Sequence, residues 1–186
     1  MATTTLHLTL AEYDSMVLVG AFDRLNRKIE LIRGELIEMN PAGPLHDDLI
    51  TYLTNWSARN ADPNQTLVTS QTGLNLPELQ SRPEPDLMWI RAARYRESHP
   101  NATDVQLAIE VSNSSLVYDL ETKRRLYAEA NIQEYWIVDS QAQCIHVHRK
   151  PSQGDYAERF VRTIDDNLSP IFRPDVKLNL HELFIA

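Results

Sequence analysis

The sequence predicts a mixed α/β protein, a sheet flanked by helices with a β-hairpin at its N-terminal side. Three observations carry this expectation. Val105 to Val111 and Gln133 to Asp139 are short, nearly continuous apolar runs on either side of a helical pattern at Asp119 to Ala130, giving a strand–helix–strand unit. Leu49, Ile50, Leu53 and Trp56 recur at helical spacing. Lys28 to Met39 is two short runs around Gly34, the pattern of a tight hairpin.

In chain order, Thr9 to Leu18 opens with a capping-box pair, Thr9 and Glu12, and carries Leu10, Tyr13, Met16 and Val17 as its apolar face. The hairpin follows and ends at Asn40-Pro-Ala-Gly-Pro44. Leu45 to Asn60 is the second helix, stopped by Asp62-Pro-Asn64. Leu67 to Gln71 and Leu74 to Leu76 read as short strands. Pro77 to Pro85 reads as a loop, Asp86 to Ile90 as a strand that begins with its acid, and Ala92 to Arg96 as a helical turn. Ser112 to Tyr118 is a polar loop before the Asp119 helix, for which Asn131 is a left-handed cap. If the two strands around that helix are parallel in one sheet, the crossover between them is expected to be right-handed. Cys144 to His148 and Tyr156 to Thr163 alternate as an antiparallel pair around Pro151 to Asp155, and His181 to Phe184 is a short terminal helix.

Composition bounds the function. A chain of 186 residues with 42% hydrophobic and 24% charged residues suits one folded domain over residues 1–186. Five glycines and one cysteine exclude collagen and a disulfide scaffold, and the apolar runs are too short to span a bilayer. Met1 to Thr5 lacks the charged start of a secretion signal, and a lone thiol suits a reducing compartment, so cytoplasm is expected and no membrane partner. The net charge of −8 argues against a protein that coats the phosphate backbone, but not against an enzyme whose acidic site takes a cation before it meets phosphate.

The residues that carry chemistry are acids in unusual places. Asp86 ends Pro-Glu-Pro-Asp and starts a strand, and Glu110 interrupts the apolar run Leu107 to Val111. Burying a lone carboxylate is costly unless it is paired or bound to metal. Each acid alone has a plain reading, Glu110 as an exposed strand end and Asp86 as a turn residue. Together, from neighbouring strands, they can hold one hard divalent cation through oxygen. Asp119, Lys123 and Tyr127 follow one another at single-turn spacing on one helix face. Read from spacing alone, Lys123 pairs with Asp119 or Glu121 on a solvated surface.

Asp86, Ile109-Glu-Val-Ser112, Asp119-x-x-x-Lys123, Tyr127 and Glu134-Tyr-Trp-Ile-Val-Asp139 together resemble the Uma-two family, bacterial proteins classed as restriction-endonuclease-like members of the PD-(D/E)XK nuclease superfamily. The region around Tyr13, Gly34-Glu-Leu-Ile-Glu-Met39 and His46 is similar to its N-terminal pattern, so the resemblance covers roughly residues 8 to 183. It implies a restriction-endonuclease-like sheet and an endonuclease, a hydrolase of nucleic-acid phosphodiesters that uses Mg²⁺ or Mn²⁺. Asp86 and Glu110 would be catalytic metal ligands joined by the carbonyl of Val111, and Lys123, on the helix, would take the place of the superfamily lysine and assist the attacking water as a third catalytic residue. The usual lysine position, two residues after the second acid, holds Ser112. Asp119 and Tyr127 are accessory candidates, and Glu35, Glu38 and His46 are alternatives for completing the site. The implied partners are nucleic acid, DNA before RNA, and a second copy in a homodimer. The broken motif leaves open a binding or assembly module on the same fold with a degenerate site.

Other signals have plainer readings. His146 and His148 share a strand face, without a Cys or acid at a convincing zinc spacing, and are expected to face solvent. Tyr135, Trp136, Trp56 and Trp89 are expected in the core. Arg91 and Arg94 read as solvated surface, and Arg124 as either surface or a phosphate contact. No glycine-rich phosphate loop or serine-hydrolase pattern is present.

Overall fold

The computed structural model describes residues 5–25, 27–39 and 43–185. Asn40, Pro41 and Ala42, at the expected end of the hairpin, lie outside them. The elements are α1 (Leu10–Leu18), β1 (Lys28–Ile32), β2 (Glu35–Met39), α2 (Pro44–Asn60), β3 (Thr66–Ser70), β4 (Leu87–Arg91), β5 (Val105–Ser112), α3 (residues 116–129), β6 (Glu134–Asp139), β7 (Cys144–Ser152), β8 (Asp155–Thr163), β9 (Asn167–Leu168), β10 (Leu178–Asn179) and α4 (Leu180–Ile185).

Six strands form one mixed sheet in the order β3-β4-β5-β6-β7-β8. Neighbours are antiparallel except β5 and β6, which run parallel and are joined by the helical crossover. One face is packed by Leu49, Leu53 and Trp56 of α2 and Leu180 and Leu183 of α4 against Trp89, Leu107, Ile109 and Trp136. The other is packed by Leu126, Tyr127 and Ala128 of α3 against Met88, Ala108, Tyr135 and Ile137. Period-two alternation therefore divides β5 and β6 between two cores, which explains their continuous apolar character. Trp56, Trp89, Tyr135 and Trp136 are all core residues, as expected.

The hairpin β1–β2 stands apart as a two-stranded sheet, turning at Arg33 and Gly34, both with positive φ. The chain fastens it through Arg82, whose N–H donates to the Leu31 carbonyl. The Thr9–Glu12 capping box opens α1 as expected, and Leu10 and Tyr13 are buried, but Val17 is exposed. Asn131 caps α3 with φ 61°.

Four local expectations are corrected. Leu74 to Leu76 forms only isolated bridges to Ser81 and Asn101, because Leu74 donates across to Pro83 and no continuous strand lies beside it. Ala92 to Arg96 is irregular and largely exposed, with no apolar face to hold a helical turn. The Asp119 helix starts earlier, at Leu116, and passes through a π-turn at Asp119–Lys123. His148 is buried rather than solvent-facing, packed between Tyr135 (stacked, ring separation 5.7 Å) and Tyr156 (tilted, 5.8 Å).

Candidate metal and catalytic centre

The site forms where β4 and β5 run side by side. Leu87 pairs with Ile109, so Asp86, one residue earlier on β4, falls beside Glu110, one residue later on β5. The alternating prolines of Pro83-Glu-Pro85 hold the approach to β4 extended. Asp86 Oδ2 accepts the Val111 N–H at 2.8 Å, and Glu110 Oε2 accepts the Asp86 N–H at 3.4 Å. Each acid thus binds the other strand's backbone, and both carboxylates are nearly buried.

The helix behind β5 supplies the rest. Lys123 Nζ donates to Glu110 Oε1 at 2.9 Å, and the Tyr127 hydroxyl donates to the same oxygen at 2.9 Å. Asp119 Oδ2 accepts the hydroxyls of Ser112 at 2.6 Å and Ser115 at 2.8 Å. Ser112, at the usual lysine position, is therefore tied to Asp119. The π-turn spans Asp119 to Lys123 and so changes the phase of the helix between these two groups; such turns are frequent at functional sites. Lys123 and Tyr127 are completely buried, and neither lines the open cleft.

A buried acid that sequence reading missed completes the cluster. Glu30 of β1 has no exposed surface and lies 3.3 Å from Lys123 Nζ through Oε2. Its Oε1 accepts the Glu84 N–H at 3.0 Å, which locks the hairpin to the approach of β4. One signal could have found it: Glu30 shares its alternating strand face with Ile32, which is also buried.

The other sequence candidates divide. His46, on the first turn of α2, comes within 3.3 Å of Asp86 Oδ2 through Nε2, and its buried Nδ1 has no hydrogen-bond partner. Glu38 lines the cleft but is paired with Arg27 at 2.7 Å. Glu35 is exposed, 4.0 Å from His7, and does not line it. The cleft encloses about 430 Å³ and is walled by His46, Gln71, Asp86, Glu110, Val111 and Asp119 among others. Its basic residues are paired, Arg27 with Glu38 and Lys28 with Glu84 at 3.2 Å. Arg124 pairs with Asp155, and Arg91 and Arg94 are exposed.

Electrostatics follow from burial and charge balance. Glu110 and Glu30 pair directly with the Lys123 ammonium, whose charge also acts on Asp86 and Asp119. Burial pushes Glu110 well above the ordinary carboxylate range; Lys123 opposes this, while Asp86, Asp119 and Glu30 reinforce it. Burial would also lower Lys123, but the carboxylates of Glu110, Glu30 and Asp119 outweigh it and hold the ammonium firmly protonated. Asp86 is the exception among the acids. Burial raises it, yet His46, the Val111 N–H and Lys123 together hold it below its usual value. Burial raises Asp119 more than Lys123 and the two serines lower it. His46 is raised by its contact with Asp86 against the effect of burial.

The residues fit a hard divalent cation. Asp86, Glu110 and Val111 meet at the cleft, and a cation there would offset the surplus of buried carboxylate over ammonium. Asp119 Oδ1 adds a buried oxygen without a hydrogen-bond partner on the cleft wall.

Comparison with known proteins agrees with this architecture. The family model Uma2, described as "Putative restriction endonuclease", matches residues 10–181. A solved structure described as "a putative nuclease belonging to DUF820 from Anabaena variabilis" is similar with a TM-score of 0.71 and 18% identity, covering 95% of this chain and 97% of that chain. At that identity the likeness shows a shared fold. No curated protein matches the chain.

Proposed function

The chain belongs to the Uma2 family, and from that premise we propose that it is a Mg²⁺- or Mn²⁺-dependent endonuclease that hydrolyses phosphodiester bonds of nucleic acid, DNA before RNA. One observation carries the reading: buried Glu30 of β1 and Glu110 of β5 share a single buried ammonium, and Asp86 of the β4 approach and Asp119 of α3 join Glu110 on the wall of an open cleft. Such surplus negative charge is stable when a cation compensates it.

Asp86, Glu110 and the Val111 carbonyl would hold the ion, with Asp119 available through its second oxygen. A bound cation of this class supplies charge neutralisation at phosphate and acidifies water. His46 holds the Asp86 carboxylate through Oδ2 from the cleft wall. Tyr127 and Lys123 fix Glu110, and the ammonium favours its ionised form. Lys123 is held protonated, so it serves as a charge and hydrogen-bond donor and not as a base. Because it reaches the cleft only through Glu110, we assign it a positioning role. Hydrolysis joins a water oxygen to phosphorus and breaks one P–O bond, and the leaving alcohol takes a proton.

A single domain acting as a homodimer in the cytoplasm accords with this reading, since cutting both strands of a duplex requires two sites. Among the described residues no helix is long and apolar enough to cross a membrane. The test is cleavage of plasmid and linear DNA by purified protein with Mg²⁺ or Mn²⁺. Cleavage is expected, with loss in Glu110→Ala and Lys123→Ala; activity that persists in either variant overturns the residue assignments. Ser112 at the usual lysine position favours a second reading, a non-catalytic module. Absence of both cleavage and millimolar metal binding by calorimetry would favour it.

A further inference from the structure

We propose that Asp139, Cys144 and His146 form a second metal site, for a zinc-class cation, separate from the carboxylate cleft. The three residues come from one hairpin, β6–β7. Asp139 and Cys144 are the last cross-strand pair before the turn, and His146 follows Cys144 by two residues on the same strand face. One ligand atom from each lies within 4.8 Å of the other two. His146 Nε2 is 3.9 Å from Asp139 Oδ2 and 3.9 Å from Cys144 Sγ.

The local backbone prepares the site. Asp139 Oδ1 accepts the N–H groups of Gln141 at 3.0 Å and Ala142 at 2.9 Å, which fixes the carboxylate and leaves Oδ2 facing His146. Among the described residues no Lys or Arg forms an ion pair with Asp139, although its side chain is only 9% exposed. Cys144 is buried, and His146, about a quarter exposed, marks the side from which an ion enters. Tetrahedral zinc with these ligands places donor atoms roughly 3.3–3.6 Å apart. The two 3.9 Å separations therefore need a contraction of a few tenths of an ångström, and the Asp139–Cys144 separation, within 4.8 Å, one of roughly 1 Å or somewhat more at most, within reach of side-chain rotations. A thiolate and an imidazole select Zn²⁺, Co²⁺ and similar ions over Mg²⁺, which prefers oxygen and water. Binding releases the Cys144 proton to solvent, and water fills the fourth position. Sequence spacing does not suggest this set, because Asp139 joins the cysteine and histidine only once the strands pair.

The test uses the full chain, stripped with a chelator and titrated with Co²⁺. A sulfur-to-cobalt charge-transfer band is expected, displaced by Zn²⁺ and unchanged by excess Mg²⁺. Cys144→Ser should abolish the band. His146→Ala, at a partly exposed position that leaves the core intact, should weaken binding by about tenfold or more. Asp86→Asn should leave the band unchanged, which separates this site from the nuclease reading whatever the outcome of cleavage assays. Absence of the band in the unmodified protein, or a band of full strength in His146→Ala, overturns the proposal.

Discussion

Replacing Lys123 by methionine removes the one ammonium from a cluster of buried acids while keeping most of the side-chain volume. The amine lies 2.9 Å from Glu110 and 3.3 Å from Glu30, and none of it is exposed. Removing one partner of a buried pair costs about 3–5 kcal/mol, because the remaining charge is left uncompensated. The full cost applies only while Glu110 is ionised. In the fold its carboxyl lies well above the usual range, through burial first and neighbouring acids second, with Lys123 acting against them. A group raised in the fold contributes stability that is full below its unfolded value of about 4.3 and is lost as pH rises through the folded value. Without Lys123 the folded value rises further, so Glu110 can escape the penalty by taking a proton at low pH but not at high pH. The assay is urea unfolding of the metal-free protein at about pH 5 and about pH 8. With a slope of ~2 kcal/mol per molar urea, the midpoint should fall by about 1.5–2.5 M at the higher pH and by clearly less at the lower. Adding Glu110→Gln to Lys123→Met should recover about 1–3 kcal/mol at the higher pH, since one of the two carboxylates left without the amine no longer carries charge. Equal shifts at the two pH values, or no recovery in the double variant, would refute the picture of an ion-paired buried cluster.

Two further expectations are independent of that one. Asp86→Asn should weaken Mg²⁺ or Mn²⁺ binding in calorimetry by about tenfold or more, and should cut the metal-dependent stabilisation, read as the rise in melting temperature, from about 2.7 kcal/mol at a hundredfold excess over the unmodified protein's Kd to about 1.4 kcal/mol or less at the same metal concentration. His148 has a folded pKa of about 4, lowered chiefly by burial and further by Arg124 and His146. Its neutral form contributes stability that is complete above the unfolded value of about 6.5 and lost as pH falls through the folded one, a span worth about 3 kcal/mol. His148→Phe should keep the stack between Tyr135 and Tyr156 and flatten the loss of urea stability between about pH 6.5 and about pH 4; an unchanged slope would show that His148 is not the group that titrates.

Sequence alone determined the features that depend on nearest neighbours along the chain. The Thr9–Glu12 capping box, the turn at Gly34, the left-handed cap at Asn131 and the strand–helix–strand unit are each set by a few adjacent residues, and each is present. Asp86 and Glu110 were legible as candidates because an acid at a strand end or in an apolar run is chemically out of place. Tertiary structure decided what depends on residues remote in the chain. Glu30 reads as an ordinary polar strand residue until the hairpin folds over Lys123 and closes it from water. His148 reads as a surface histidine until Tyr135 and Tyr156 enclose it. Asp139 meets Cys144 and His146 only through the register of β6 and β7. The physical reason is common to all three: periodicity along a strand fixes which residues share a face, whereas the dielectric and the partners on that face are set by whatever distant segment packs against it.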